Sequence, residues 1–533
     1  MTHTHTALPY RLTPISNLPS EILISIFCKG TEEEFQPTHS QAPNPFHRPI
    51  PFILQVSQVC HFWRNLSRSV PVLWSTFANY DTLNAHCVEE SLRLSGNSLL
   101  DVKLSSGLRF RNPRPSNTHP LYTHSQRIRS LYCTTHSSTV TSDLQTLLEQ
   151  SMPALRTLIL SYGLGTWNVG SQSAATFLSL LPRGAPSLTT FVLYRCYVDL
   201  SSTAMSRLRV PELHDIPDFY CPTVPEWLNH LSNMPDLESL SLTHSIATTI
   251  SNIPAITLSH LHTLRFTGDF SGFALLEKLM VPQLKELDLS FECFPDARGT
   301  VTDDVISDAF VRCVDADRLS GRAIAFRLKN DRLVLQTLDS CDGVDLRDPF
   351  RLFVELSWHH RQSRHGIASL AFDAACERLK RVTSFVARID AETSPASLPS
   401  DSSALHPGLV SSLEKFTRDL TQVRQLAVYS TRDICAMVSY PFGHLPPSGS
   451  VYGNPLAFPS LEAVVIVTDP GVDEEWWIRE FVVHRTAIGH PIRKISFPRR
   501  TDNKSRTFHE LPLELVDEGE YQPSLVQPPC LIV

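Results

Sequence analysis

Apolar positions along this chain follow two different rhythms. Between Ile15 and Phe27, Leu18, Ile22 and Ile26 recur every four residues, and Leu23 and Phe27 widen the stripe. That is the spacing of an amphipathic helix. Asn17, or Ser20 if the helix starts later, can cap it, Pro19 suits a first turn and Glu21 sets a carboxylate at the positive end. A polar stretch, TEEEFQPTHSQAPNPFHRP, follows and is too rich in proline to be helical throughout. Leu54, Val59, Phe62, Trp63 and Leu66 then predict a second helical face, followed by Pro71-Val-Leu-Trp74.

From residue 99 the phrase apolar-x-x-apolar-x-apolar takes over. It runs through Leu99/Val102/Leu104, Ile128/Leu131/Cys133, Leu155/Leu158/Leu160 and Leu188/Phe191/Leu193. It continues through Leu237/Leu240/Leu242, Leu261/Leu264/Phe266 and Leu284/Leu287/Leu289, with a degenerate copy carrying Leu213 and Ile216. Proline stands two places before several lead residues, at Pro153, Pro186, Pro211, Pro235 and Pro282. There it predicts the end of a helix and the start of a strand. Segments of helical length lie between, at Ser142–Ser151, Ser173–Leu181 and Pro225–Asn233. Most intervals between leads fall in the range of leucine-rich repeats, and the expected unit is a strand followed by a helix, stacked as a curved parallel solenoid.

From about Glu292 to Trp358 this rhythm breaks. FRLKNDRLVLQTLDS partly alternates and RLFVELSW reads as a strand, predicting a β-rich interruption. Helix then strand is expected again from Ala374–Phe385, with the phrase at Val423/Leu426/Val428, Leu461/Val464/Ile466 and Ile492/Ile495/Phe497. Val472–Arg485, acidic at its start and basic at its end, predicts a further helix.

The order of residue types near the N-terminus is more specific than its periodicity. L-P-x-E-I-L-x-x-I-F, then L-x-V-S-x-V-C-x-x-W-R, then P-x-L-W, resembles the F-box, in particular the F-box-like form common in mushroom-forming fungi. The resemblance implies a three-helix module docking on the Skp adaptor, and through it cullin, in a ubiquitin ligase. By position it carries the adaptor-binding role onto Leu18, Pro19, Ile22, Leu23, Ile26, Phe27, Leu54, Val59, Cys60 and Trp63, with Glu21 and Arg64 also matching the motif. The insert, roughly Cys28 to Ile53, is longer than in compact F-boxes. The later phrases are similar to the degenerate leucine-rich repeats that commonly follow an F-box.

Composition narrows the function without naming it. The chain of 533 residues carries 47 basic and 54 acidic side chains, a net charge of −7, which argues against a dedicated nucleic-acid binder. With 42% hydrophobic and 19% charged residues it is no charged disordered chain. No secretory signal and no membrane-length apolar run is present. The twelve cysteines lack any C-x-x-C pair, predicting reduced, mostly buried thiols in the cytoplasm or nucleus.

Candidate chemistry is sparse. Gly163, Gly165 and Gly170 lack dinucleotide spacing, and no P-loop or G-x-S-x-G is present. His359, His360 and His365, beside Arg361 and Arg364, are not spaced as metal ligands and read as a solvated or partner-binding patch. Cys530-Leu-Ile-Val has the form of a prenylation box, but ends on an unusual residue behind an acidic segment.

The expectation is therefore an α/β chain: an all-α F-box-like module over 14–75, leucine-rich-repeat-like units over 90–291, a β-rich interruption over 292–360, continued repeats over 361–500 and a tail over 501–533. The function expected from the resemblance is a non-catalytic substrate receptor, without cofactor, that binds the Skp adaptor and an unknown protein target. Alternatives are an interaction scaffold whose F-box-like helices cap the repeats, or an enzyme within 292–360.

Overall fold

The computed structural model describes residues 15, 18–35, 51–77, 85–104, 120–135, 141–162, 175–177, 181, 184–198, 200, 203–217, 220–247, 254–269 and 272–293. Farther on it describes 305, 308–309, 323–329, 332–338, 351–358, 379, 382, 384–390, 415, 417–428, 458–466, 482, 485–486, 489–498 and 508–510. The chain is α/β, a helical start followed by parallel strands with helices, and divides into units of residues 1–220 and 221–533.

In the first unit, helices α1 (Ser20–Phe35), α2 (Phe52–Val59) and α3 (His61–Arg68) precede a 3-10 turn, Pro71–Trp74. Strand β1 (Thr76–Phe77), α4 (Ala85–Leu94), β2 (Leu100–Leu104), α5 (Pro120–Thr123), β3 (Ile128–Thr135), α6 (Thr141–Leu148) and β4 (Thr157–Tyr162) follow. The unit continues with β5 (Ala175–Phe177), β6 (Thr190–Tyr194), β7 (Cys196–Val198) and β8 (Val210–His214). The sheet β1-β2-β3-β4-β6-β8 is parallel throughout. Its register stacks Val102, Leu131, Leu158, Phe191 and Pro211 in one buried row and Leu104, Cys133, Leu160, Leu193 and Leu213 in another.

The second unit begins with α7 (Val224–Ser232), β9 (Ser239–Thr243), β10 (Ile256–Thr257), β11 (Thr263–Gly268), α8 (Gly272–Glu277), β12 (Leu279–Met280) and β13 (Glu286–Cys293). Its later strands are β14 (Ala323–Lys329), β15 (Arg332–Leu338), β16 (Arg351–Trp358), β17 (Ser384–Asp390), β18 (Gln425–Val428), β19 (Ala463–Ile466), β20 (Lys494–Pro498) and β21 (Phe508–Glu510). They pair in the order β9-β11-β13-β16-β15-β14-β17-β18-β19-β20-β21. All these pairs are parallel except those of β15 with both neighbours and of β21 with β20. Leu240, Leu264 and Leu287 stack in one buried row, and Leu242, Phe266 and Leu289 in the next.

One turn recurs before the strands. The backbone N–H of Leu155, Leu188, Leu208, Leu237, Leu261, Leu284, Val382, Val423 and Leu461 donates to the carbonyl three residues earlier. Those earlier residues are Met152, Ala185, Met205, Met234, Leu258, Val281, Leu379, Leu420 and Phe458, and both ends of every turn are buried. Pro153, Pro186, Pro235, Pro282 and Pro459 occupy the second position of the turn, where a fixed φ near −65° is wanted. The proline thus stands at the entry to the strand, as the sequence predicts, and the reading is corrected in one respect: it shapes a turn there instead of terminating a helix directly. Pro211 does neither, because it lies inside β8 opposite Phe191.

Other expectations are also corrected. In the first copy Leu99 is exposed, and Leu100 takes the buried place opposite Ile128. The degenerate copy is led by Leu208, with Leu213 in its third place. Ser173–Leu181, expected as a helix, contains β5, whose Thr176 and Phe177 are strand-favouring types and pair in parallel with β7. Ser384 and Phe385, expected in a helix, begin β17. Of Val472–Arg485 only Val482 and Arg485 are described, both helical and buried. The Arg485 guanidinium donates to the carbonyls of Phe458, Leu461 and His490, and burial pulls its pKa down to about 10. It thus joins the turn before β19 to the segment leading into β20.

Close packing in the second unit depends on one glycine. A Cβ at Gly272 would lie 2.1 Å from the ring of Phe266, which is itself buried beside Phe291 with ring centroids 5.2 Å apart. Gly272→Ala is expected to destabilise the protein by about 1–3 kcal/mol through overpacking, read as a lowered midpoint in denaturant.

Candidate docking surface

The described residues 18–35 and 51–77 form short helices that share one set of buried side chains. The inward faces contribute Leu23, Phe27, Ile53, Val56, Leu73 and Trp74, all buried. Phe27 meets Trp63 edge-on with ring centroids 5.0 Å apart. Gly30 lets the ring of Phe52 approach α1, since a Cβ there would lie 2.3 Å from it. Helix α1 starts at Ser20, so Pro19 precedes the helix, with its carbonyl accepting from the N–H groups of Ile22 and Leu23. The helix runs on into the acidic stretch as far as Phe35.

The apolar run expected as a single helical face is two helices. Cys60 is extended, with φ −158° and ψ 171°, and ends α2 while capping α3. Its sulfur accepts from the N–H of Trp63 at 3.4 Å, taking the place a Ser or Asp oxygen fills at most helix starts. Arg64 ties the two helices by donating from Nε to the carbonyl of Ser57 at 3.0 Å. The Trp74 indole donates to the carbonyl of Ser67 at 2.8 Å. Immediately after, Ser75 accepts from the N–H of Asp101 at 2.9 Å and β1 pairs with β2. The helices are therefore anchored to the first strands of the sheet.

The outward faces carry exposed apolar side chains. Ile22 is 48% exposed, Ile26 46%, Val59 61% and Phe62 49%. The first two lie one turn apart on α1, and the others flank the break between α2 and α3. Of the eight large hydrophobics exposed among the described residues, six lie between Ile15 and Val72. Apolar exposure concentrated in this way makes these helices the candidate docking surface, whereas scattered single residues need no explanation.

The ten residues singled out in the sequence divide between two tasks. Leu23 and Phe27 are buried, and Leu18, Leu54 and Trp63 are half-buried, so these build the module. Pro19, Ile22, Ile26, Val59 and Cys60 are exposed. Cys60 thus departs from the expectation of buried thiols, which Cys133 and Cys196 do meet. Phe62 belongs with the exposed group and was not among the ten. The signal was present in its apolar type two residues after Cys60, but a continuous helix would have concealed the change of direction there.

Among the described residues no group of His, Cys, Asp and Glu could hold a metal. The His359, His360 and His365 cluster, Gly163, Gly165, Gly170 and Cys530 lie outside those residues. No described helix is long and apolar enough to cross a membrane. The F-box-like family matches residues 15–79. No curated protein matches the chain.

Two measurements separate the roles of these side chains. Leu23→Ala should cost about 2–5 kcal/mol of stability, while Ile22→Ser, one residue away on the exposed face, should change it by less than about 0.5 kcal/mol; thermal melts compare them. At pH 8 a soluble maleimide should label Cys60 in the native chain and spare Cys196, whose thiol burial pushes up to about 12. Peptide mapping after brief labelling reads the difference.

Proposed function

We propose that this protein is a substrate-recognition adaptor of a Skp/cullin/F-box ubiquitin ligase. In this reading Ile22 and Ile26 of α1, with Val59, Cys60 and Phe62 around the α2–α3 break, dock the Skp adaptor. Pro19 belongs to the same surface, while Leu18, Leu23, Phe27, Leu54 and Trp63 hold its shape. The observation that carries the proposal is the apolar exposure on helices matched by the F-box-like family. F-box proteins are generally non-catalytic adaptors, so ubiquitin transfer would be performed by other subunits. The strand-bearing remainder would form a leucine-rich-repeat-like solenoid that presents a target protein. The recurring apolar phrase and the parallel pairing of successive strands support that extension.

A second reading is favoured by one specific contact. Because β1 pairs with β2 and Trp74 is buried beside that junction, the same helices also close the end of the parallel sheet. A scaffold unlinked to ubiquitin would use the module only in this way, and its outward apolar face would have no partner.

Co-purification with recombinant Skp adaptor distinguishes the two. Wild type is expected to retain the adaptor through gel filtration, and Ile22→Asp combined with Phe62→Asp to lose it while keeping the wild-type melting curve. Folded wild type that fails to retain the adaptor would leave the scaffold reading.

A further inference from the structure

We propose that Arg64 is a positioning residue for adaptor docking, a clamp that holds α3 at a fixed angle to α2 so that Val59 and Phe62 meet the partner together. The proposal rests on the adaptor reading and gives a task to a side chain outside the exposed apolar set. The need for a clamp lies in the backbone. Helix α2 ends at Val59 and α3 begins at His61, so Cys60 alone separates two helices of eight residues each. Isolated helices that short are marginal. The extended Cys60, at φ −158° and ψ 171°, lies in the broad region open to any residue, so the link by itself fixes no angle. Val59 and Phe62, 61% and 49% exposed, stand on either side of it, and rotation there would separate them.

Two side-chain bonds close the link. The Cys60 sulfur accepts from the N–H of Trp63 at 3.4 Å, and sulfur is a weak acceptor. The stronger bond crosses the break: Arg64 donates from Nε to the carbonyl of Ser57 at 3.0 Å. Ser57 lies in the last turn of α2, where carbonyls have no partner within the helix. A guanidinium placed there also answers the negative end of the helix dipole. The backbone N–H of Arg64 donates to the carbonyl of Cys60 at 3.0 Å, so the root of the side chain is itself fixed to the break.

The neighbouring residue completes the arrangement. Trp63 meets Phe27 of α1 with ring centroids 5.0 Å apart, so α3 is held to α1 through Trp63 and to α2 through Arg64. The two ties differ in what they control. Packing of Trp63 builds the inside of the module, whereas the Arg64 bond sets the relation between the two helices that carry Val59 and Phe62. Ile22 and Ile26 belong to α1, which the Arg64 bond does not touch. Loss of the clamp should therefore weaken the contribution of Phe62 to docking and leave that of Ile22 as it was.

The test uses the full-length protein titrated with recombinant Skp adaptor in a calorimeter. Arg64→Met, which keeps an apolar stem but no donor, should weaken binding about tenfold while the protein keeps a wild-type melting curve. Arg64→Lys, which keeps a donor and the charge, should weaken it less. In a Phe62→Ala background most of the Arg64→Met effect should vanish, and in an Ile22→Ala background it should persist in full. A residue that only stabilises the fold would act equally in both. In the protein without adaptor, amide exchange across residues 61–66 should rise about tenfold in Arg64→Met, with rates on α1 unchanged. Unchanged exchange, undiminished binding by Arg64→Met, or equal effects in the two backgrounds would each overturn the clamp. Folded wild type that binds no adaptor would remove the adaptor reading and with it the docking role of Arg64, whereas adaptor binding with equal effects in the two backgrounds would remove the docking role alone.

Discussion

A three-residue backbone bond closed between two buried side chains is the constraint on which the strand array rests. Each such turn sets one apolar residue beneath the sheet and a second at the foot of the next strand, as with Met234 and Leu237 or Val281 and Leu284. The residue after the second anchor then uses its carbonyl to accept from the following strand. The carbonyl of Glu238 accepts from His262 and Thr263, and that of His262 from Lys285 and Glu286. Burial of the paired anchors fixes where a strand begins, and the shared carbonyls fix its register against the next. The long buried rows of leucine follow from those two conditions.

The same logic explains the N-terminal helices. These short helices are followed by Leu73 and Trp74, both buried, which lead directly into the first strand pair. Having one side committed to the sheet leaves the other with isoleucine, valine and phenylalanine facing solvent. In the proposed reading, docking and capping would use opposite faces of one small module, and the second would not consume the residues needed for the first.

Much of this was legible in the residues. Periodicity located the helix beginning near Ser20 and most strand leads, because leucine at the foot of a strand and two more within it is a pattern that burial enforces. What escaped were the places where neighbouring apolar residues compete or a local bond intervenes. Leu99 and Leu100 are adjacent and identical, and only the register against Ile128 decides between them. Pro211 imitates a turn proline but occupies a ladder position. Cys60 interrupts what reads as one helical face with a single extended residue, and nothing in its type announces that its sulfur will serve as a cap.

The reversed strand β15 has a consequence for how the second unit is assembled. Because β14 and β15 stand between β16 and β17, β13 must wait for β16 and β14 for β17, with Glu286 facing Arg351 and Ala323 facing Ser384. Each pairing closes a chain segment of about sixty residues, where the units before it close about twenty-five, and the entropy of closure grows with that length. During synthesis the edge of β13 is left open until β16 has been made. The local hairpin β14–β15 can form first and offer both of its edges as templates, one to β16 and the other to β17. The expected order in this part of the chain is therefore hairpin before its neighbours β16 and β17, with β13 paired only after two strands that follow it have formed.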